Sequence, residues 1–270
     1  MLTQPTPIAF SGNIPVNYDS YLGPMFFEPF AIHMATRIGK LKPSSVLETA
    51  AGTGRLTKFL PGAALPGSSI IATDINPAMA EFGKQAPMNH DVKWMTADAV
   101  SLPFEDGQFD LVATQFGVMF FSDRVKAYRE VRRVLQPGGT FIFTSWDALE
   151  NNPMAGLAQE TLKHFFPVDT PAFYAVPFSY FEEATIRREL MESGFTNLEI
   201  ERVNLTGYNQ SAAHAAKGLI EGTPTVTAIE ERDGNKLPEI IKHLEEKIEG
   251  RFGRENLQVP LQALVITCTK

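Results

Sequence analysis

One cysteine stands in 270 residues. It is Cys268, inside the apolar run 263–268. A disulfide within the chain is therefore excluded, and so is a cysteine-based metal set. The residue reads as a small buried hydrophobe in a reducing compartment, and a cytoplasmic location is expected. Histidine is also scarce: five positions, 33, 90, 164, 214 and 243, with no H-x-x-x-H pair. A metal site is not expected from them. His33 is the one to test first as a base. Positive charge is short as well, with 24 Lys and Arg against 31 Asp and Glu and a net charge of −7. Nucleic acid is a poor fit to that balance, because phosphate binding needs a basic face. No apolar run reaches 18 residues, so no membrane span is predicted. The first ten residues, MLTQPTPIAF, lack the charged and apolar regions of a signal peptide. G-x-x-x-x-G-K-[ST], the phosphate loop of nucleotide hydrolases, is absent.

What is present is alternation. Residues 1–17 read as an irregular arm, and 18–40 as a helix rich in phenylalanine that Pro43 ends. From 45 to 147 short apolar strands alternate with helices. Strands are predicted at 46–47, 69–73, 92–97, 109–114 and 140–146, and a helix at about 55–60. Asn76 followed by Pro77 marks a helix start, and Asp123 a second one. Such alternation predicts a parallel sheet with right-handed crossovers. Residues 151–182 differ: seven aromatics fall between 165 and 181, broken by prolines 167, 171 and 177. They read as a cap core or as a partly apolar pocket. A helix through Ile186 and Leu190 stops at Gly194. Strands follow at 196–205 and 260–267, with a polar helical stretch at 211–252 between them. No composition shift marks a boundary, so 1–270 reads as a single domain. Residues 18–147 form its core, and 151–182 and 206–252 are helical cap additions.

The chemistry gathers at strand ends. In a parallel sheet, ligands bind beyond the carboxyl ends of the strands. The first three strands end at Glu48, Asp74 and Asp98. LETAAGTGRLT, residues 47–57, follows the first. Gly52-x-Gly54 resembles half of a dinucleotide fingerprint, but Thr57 stands where the third glycine belongs. Glu48 would also oppose a pyrophosphate. A nicotinamide oxidoreductase is therefore the disfavoured alternative. The carboxylates suit a nucleoside with a cationic tail. Asp74 can accept from a ribose diol. Asp98 with Ala99 can meet an adenine edge. Glu48 can face a sulfonium or ammonium, and Gly52 and Gly54 let backbone approach closely. S-adenosylmethionine carries all of these groups.

The chain resembles the class I S-adenosylmethionine-dependent methyltransferases of the small-molecule type. VLETAAGTGRLT, ATDINPAM, TADAVSLPFEDGQFDLV and VLQPGGTFIFTSW carry the resemblance, with YDSYLGPMFFEPFA as the N-terminal helix that covers the cofactor. Together they span residues 18–147. The resemblance implies a Rossmann-like, doubly wound α/β sheet of seven strands, the last antiparallel. It implies S-adenosyl-L-methionine as cofactor and S-adenosyl-L-homocysteine as product. It implies cofactor contacts at Tyr21, Glu48, Ala50, Gly52, Thr53, Gly54, Asp74, Ile75, Met79, Asp98, Ala99, Gln115 and Phe116. Ala50 departs from the family glycine, which is tolerable if its φ is negative. The partner is then a small, partly apolar acceptor, with no nucleic acid and no membrane, and a homodimer is carried as one option. Enzymes that methylate macromolecules, and a binder without activity, stay as alternatives. No catalytic base is named by any motif.

Overall fold

The computed structural model describes residues 12–86 and 92–270. Most of the arm expected over 1–17, the segment MLTQPTPIAF and His90 lie outside them. Within the described part the chain is already helical at α1 (Ile14–Asn17). It continues as a π-wound segment, Tyr18–Phe27, and then as α2 (Glu28–Leu41). The single helix expected over 18–40 is thus longer and changes its winding. Pro24 sits inside the segment, where it has no N–H to give, and the Glu28 N–H reaches back five residues to Gly23 O.

The strands are β1 (Ser45–Glu48), β2 (Ser69–Asp74), β3 (Lys93–Thr96), β4 (Phe109–Gln115), β5 (Leu135–Trp146), β6 (Thr196–Ser211) and β7 (Glu255–Thr269). Their order is β3-β2-β1-β4-β5-β7-β6. All neighbours from β3 to β5 are parallel, and β7 runs antiparallel to both β5 and β6. This is the expected seven-stranded sheet. The chain leaves β1 toward β2 and returns beside it as β4, so the switch point opens between β1 and β4. Glu48 pairs with Ala72 on one side and Ala113 on the other, which aligns the strand ends there.

The connecting helices are α3 (Leu60–Ala63), α4 (Pro77–Gln85), α5 (Arg124–Val134), α6 (Pro153–Phe165), α7 (Glu183–Glu192), α8 (Ala212–Glu221), α9 (Thr225–Asp233) and α10 (Leu237–Phe252). The helix expected at 55–60 is instead a tight turn at Thr57–Phe59 that leads into α3. Both predicted caps are present: the Asn76 side chain accepts from Ala78 N at 2.9 Å, and Asp123 from Lys126 N at 2.9 Å. β6 and β7 outrun their expected bounds. Leu257 and Val259, before the expected start of β7, still face the core, and the pairing with β6 runs on to Ser211 and Glu255. The helices of the insertion start at Ala212, one residue from the expected 211, although β6 takes up the first residues of the cap stretch expected from 206. Gly207 does not break β6; its bare Cα faces the carbonyl of Met25, and a β-carbon would overlap it. One continuous cluster of buried side chains joins α2, the sheet and the cap helices, and Cys268 is fully buried within it. Among the described residues, no helix is long and apolar enough to cross a membrane.

Candidate functional site

The loop after β1 is fixed by its neighbours before any ligand is considered. Thr49 N donates to Ala113 O at 3.0 Å and Ala51 N to Thr73 O at 2.9 Å, so β4 and β2 both hold it. Gly52 N donates to Asp74 Oδ2 at 2.8 Å, and Asn76 N to Asp74 Oδ1 at 2.8 Å. Asp74 thus joins the glycine loop to the start of α4. Burial pushes its carboxyl above the ordinary range, against the pull of those two N–H groups. Gly52 and Gly54 have φ of +57° and +85°, the region that glycine enters at little cost.

Ala50 also lies there, at φ +52°. The condition for tolerating alanine at this position, a negative φ, is not met. The methyl is housed because Gly117 has no β-carbon; one there would overlap it. Left-handed alanine costs roughly 1–2 kcal/mol, partly offset because glycine loses more freedom on folding. Ala50→Gly is therefore expected to stabilise the fold by about 0.5–1 kcal/mol, read by thermal or urea unfolding.

Glu48 is buried under this loop. Thr57 Oγ1 donates to its Oε2 at 2.6 Å, and Thr73 Oγ1 to its backbone oxygen at 3.1 Å. Thr57 is the residue that spoils the dinucleotide fingerprint, and here its hydroxyl holds the acid. Burial is the main cause that raises the Glu48 carboxyl to about 8; Thr57 lowers it and the charge of Asp74 raises it further.

The remaining predicted contacts fall around the same edge. Thr53 is buried, and its Oγ1 has no partner among the described residues. A ligand oxygen or nitrogen would satisfy it. Met79 borders Gly52, since a β-carbon on the glycine would lie 3.6 Å from Met79 Cε. Ile75 is 63% exposed at the β2 end. Asp98 is half-buried and accepts from Val100 N, beside buried Ala99. Gln115 Nε2 donates to Phe27 O at 2.7 Å, joining β4 to the π-wound segment. Phe116 has φ +52°; its N–H donates to Thr144 Oγ1, and its ring stacks on Trp146 at 3.8 Å and 3°. Left-handed backbone in a phenylalanine at a switch point is the kind of strain that functional sites keep.

Tyr21 stands apart from this group. Its ring meets the edge of His214 at 4.4 Å, and Gly218 of α8 packs against its Cβ. Tyr18 takes the site-facing place. It stacks on Phe27 at 4.7 Å, and burial and the charge of Asp74 push its phenol above the ordinary value. His33 is also away from the site: Arg37 Nε donates to His33 Nε2 at 2.9 Å, in a separate cleft against Ile142 and Thr267. Burial and Arg37 lower its pKa. Among the described residues no group of three or more potential metal ligands occurs.

Beside Phe116 opens a second space that the sequence outlines only in part. It is a small open-mouthed cavity of about 60 Å³. Nine of its fourteen lining residues are aromatic, and none carries a charge. Phe173, Tyr174 and Phe178 come from the aromatic stretch 165–181, so part of that stretch does form a pocket wall. Tyr180 does not line it; its hydroxyl donates to Glu189 Oε2 at 2.7 Å. Tyr18, Phe26 and Phe27 come from the π-wound segment, and Trp146 from the end of β5. Trp146 was readable only as a strand end, although it lies at the same sheet edge as the acids. The Tyr174 hydroxyl donates to Leu219 O at 2.6 Å, and burial pushes its pKa up.

Residues 47–143 match a family model described as a methyltransferase domain. Over 121 residues the chain is 34% identical to the ubiquinone/menaquinone biosynthesis C-methyltransferase UbiE of Hahella chejuensis, covering 43% of this chain and 48% of that protein. The chain spans about half the length of the first curated relatives it matches. Among solved structures it resembles the [4+2]-cyclase SpnF, with a TM-score of 0.59 and 16% identity over 96% of this chain and 93% of that one. It also resembles phosphoethanolamine N-methyltransferase 2 of Haemonchus contortus, solved with phosphomonomethylethanolamine and S-adenosylhomocysteine. There the TM-score is 0.58, at 16% identity over 95% of this chain and 56% of that one. At these identities the structures share the fold.

Proposed function

We propose that residues 47–143, which match a family model described as a methyltransferase domain, work as a class I S-adenosylmethionine-dependent methyltransferase, and that the chain methylates a small, apolar molecule. One observation carries the reading. A glycine loop held by Asp74 and backed by Glu48 meets, at Phe116, a pocket walled by aromatics and free of charge. In this reading Asp74 accepts from the ribose, Asp98 and Ala99 meet the adenine, and Ile75 and Met79 flank the base. Gly52, Thr53 and Gly54 face the amino-acid end, and Gln115 and Phe116 stand near the methyl group.

A bound sulfonium supplies the activated methyl group. What this chain adds is position. Holding two reactants in line is worth about 7–11 kcal/mol in favourable cases. The aromatic walls exclude water from the acceptor. The pocket's tyrosines, 18 and 174, both have phenols raised above the ordinary value, so neither is a base at neutral pH. The acceptor must therefore bring its own lone pair or ionise by itself. Relatives named for quinone biosynthesis act on carbon, and a flat ring of that kind suits these walls. Such a ring is the first acceptor to test. The net charge of −7 supports a small molecule over nucleic acid, and a single buried cysteine supports a cytoplasmic protein.

Calorimetric titration with S-adenosylmethionine, S-adenosylhomocysteine and NAD(P), followed by mass spectrometry of candidate acceptors, tests the proposal. Micromolar binding of the two sulfur nucleosides and a 14-Da gain on an apolar acceptor are the expected results. NAD(P) binding alone would end it. Tight nucleoside binding with no methyl gain on any acceptor would point to other chemistry on the same fold.

A further inference from the structure

Arg55 belongs to the glycine loop, yet none of the roles above uses it. Its guanidinium leaves the loop and crosses to the π-wound segment. Nε donates to Asp19 Oδ1 at 2.8 Å, and Nη2 lies 2.8 Å from Asp19 Oδ2. Nη2 also donates to the Asp19 backbone carbonyl. Nη1 donates to Glu28 Oε2 at 2.9 Å, and Lys58 Nζ reaches the same oxygen at 2.9 Å. The Arg55 side chain is 16% exposed, so this is no open surface pair. Gly23 makes room for it, because a β-carbon there would overlap the guanidinium. A planar fork with five donors is what lets one side chain hold two carboxylates at once.

The two carboxylates bracket the segment that walls the aromatic pocket. Asp19 is near its start, and Glu28 follows its end. Between them lie Leu22, Phe26 and Phe27, which line the pocket, with Tyr18 just before. We propose that Arg55 is a positioning residue: it ties the wall of the acceptor pocket to the glycine loop, so that filling the loop closes the pocket. The naming of the two spaces rests on the proposed function; the tie itself does not. A nucleoside ligand that immobilises the backbone of Gly52 and Gly54 immobilises the stem of Arg55, and through it the wall. The expected order of events is nucleoside first and acceptor second, with each favouring the other.

Amide hydrogen exchange of the full chain over residues 14–28 tests this, with and without S-adenosylhomocysteine. In the native protein the nucleoside should slow exchange there roughly tenfold or more. Arg55→Gln and Gly23→Ala should each speed ligand-free exchange over 14–28 by roughly tenfold, leave α5 unchanged, and lose the protection given by the nucleoside. Nucleoside affinity should fall in both variants by up to about tenfold, the reciprocal of the protection that the nucleoside gives. Gly23→Ala is the discriminating variant. Gly23 is not in the left-handed region, so alanine only raises helix propensity unless the guanidinium needs its space. It also keeps Arg55 intact if Arg55→Gln fails to fold. Exchange that is unchanged or slower in Gly23→Ala overturns the tie. Exchange that speeds up in the variants, but nucleoside protection that persists in them, overturns the coupling. If the native protein does not bind the nucleoside, the proposed function and the coupling fail, while the ligand-free comparison still decides the tie.

Discussion

Asp74→Ala should lower affinity for S-adenosylhomocysteine about a hundredfold or more, with the fold retained. A hydrogen bond to a charged group contributes roughly 1.5–3 kcal/mol, and a ribose diol makes two, so a loss of at least 3 kcal/mol is expected. The variant also releases Gly52 N and Asn76 N, which Asp74 holds in the folded chain. The loop is then no longer set before the ligand arrives, and part of its ordering must be met by binding. Asp74→Asn separates the two effects. One amide oxygen still accepts one backbone N–H, while the charge that favours the ribose hydroxyls is gone. Titration calorimetry of the three proteins, with circular dichroism as the control for folding, reads the result. Unchanged affinity in Asp74→Ala would remove the ribose role and with it the placement of the nucleoside along β2.

Glu48 sets the second large effect. Its carboxyl rises from 4.5 to about 8 in the folded protein, chiefly through burial. It is therefore protonated in the fold at neutral pH but ionised in the unfolded chain. Between those two values the native state holds the extra proton, so stability must fall as pH rises. The contribution is complete below pH 4.5 and lost by the time pH passes about 8. Its size is on the order of 3–5 kcal/mol. Other groups titrate in the same range, and the comparison with Glu48→Gln isolates this one. An amide imitates the protonated acid and can still accept from Thr57. The native protein should lose stability relative to Glu48→Gln as pH climbs from 5 to 9, read by urea unfolding across that range. A constant difference would mean that Glu48 stays ionised under the loop. The same acid should tell the two nucleosides apart. A sulfonium favours the ionised form, so S-adenosylmethionine should release a proton on binding and S-adenosylhomocysteine should not. Calorimetry in buffers of different ionisation enthalpy measures that proton.

The strand ends were legible because short apolar runs close on acids, and the two helix starts because Asn76 and Asp123 cap them. Three features were not. The family resemblance, not local pattern, pointed to Tyr21 over Tyr18. The pocket takes residues 18, 22 and 26, four apart on one face of that segment, and Tyr21 turns toward α8. Arg55 reads locally as a charged residue after a glycine; its partners lie 36 and 27 residues earlier, and local pattern does not pair them. Gly207 lies beyond the expected end of β6 at residue 205, yet it is within a paired strand. Gly207 is there because the Met25 carbonyl comes close, a tertiary demand with no local signature. The φ of Ala50 is of the same kind, since only Gly117 across the loop makes its methyl acceptable.

The walls of the aromatic pocket have a further consequence. Of its fourteen lining residues, only Phe116 and Phe120 fall inside 47–143, the stretch that matches the family. The others come from the N-terminal segment, the end of β5, and the cap stretches around α6 and α8. In the proposed function, the nucleoside site and the acceptor pocket thus draw on separate parts of the chain. Substitutions in the outer parts can change what is accepted while leaving the nucleoside loop untouched. Descendants of one ancestor can then diverge in diet while keeping the same engine. For the same reason, grafting the outer segments between relatives is a more direct route to altered preference than editing the glycine loop.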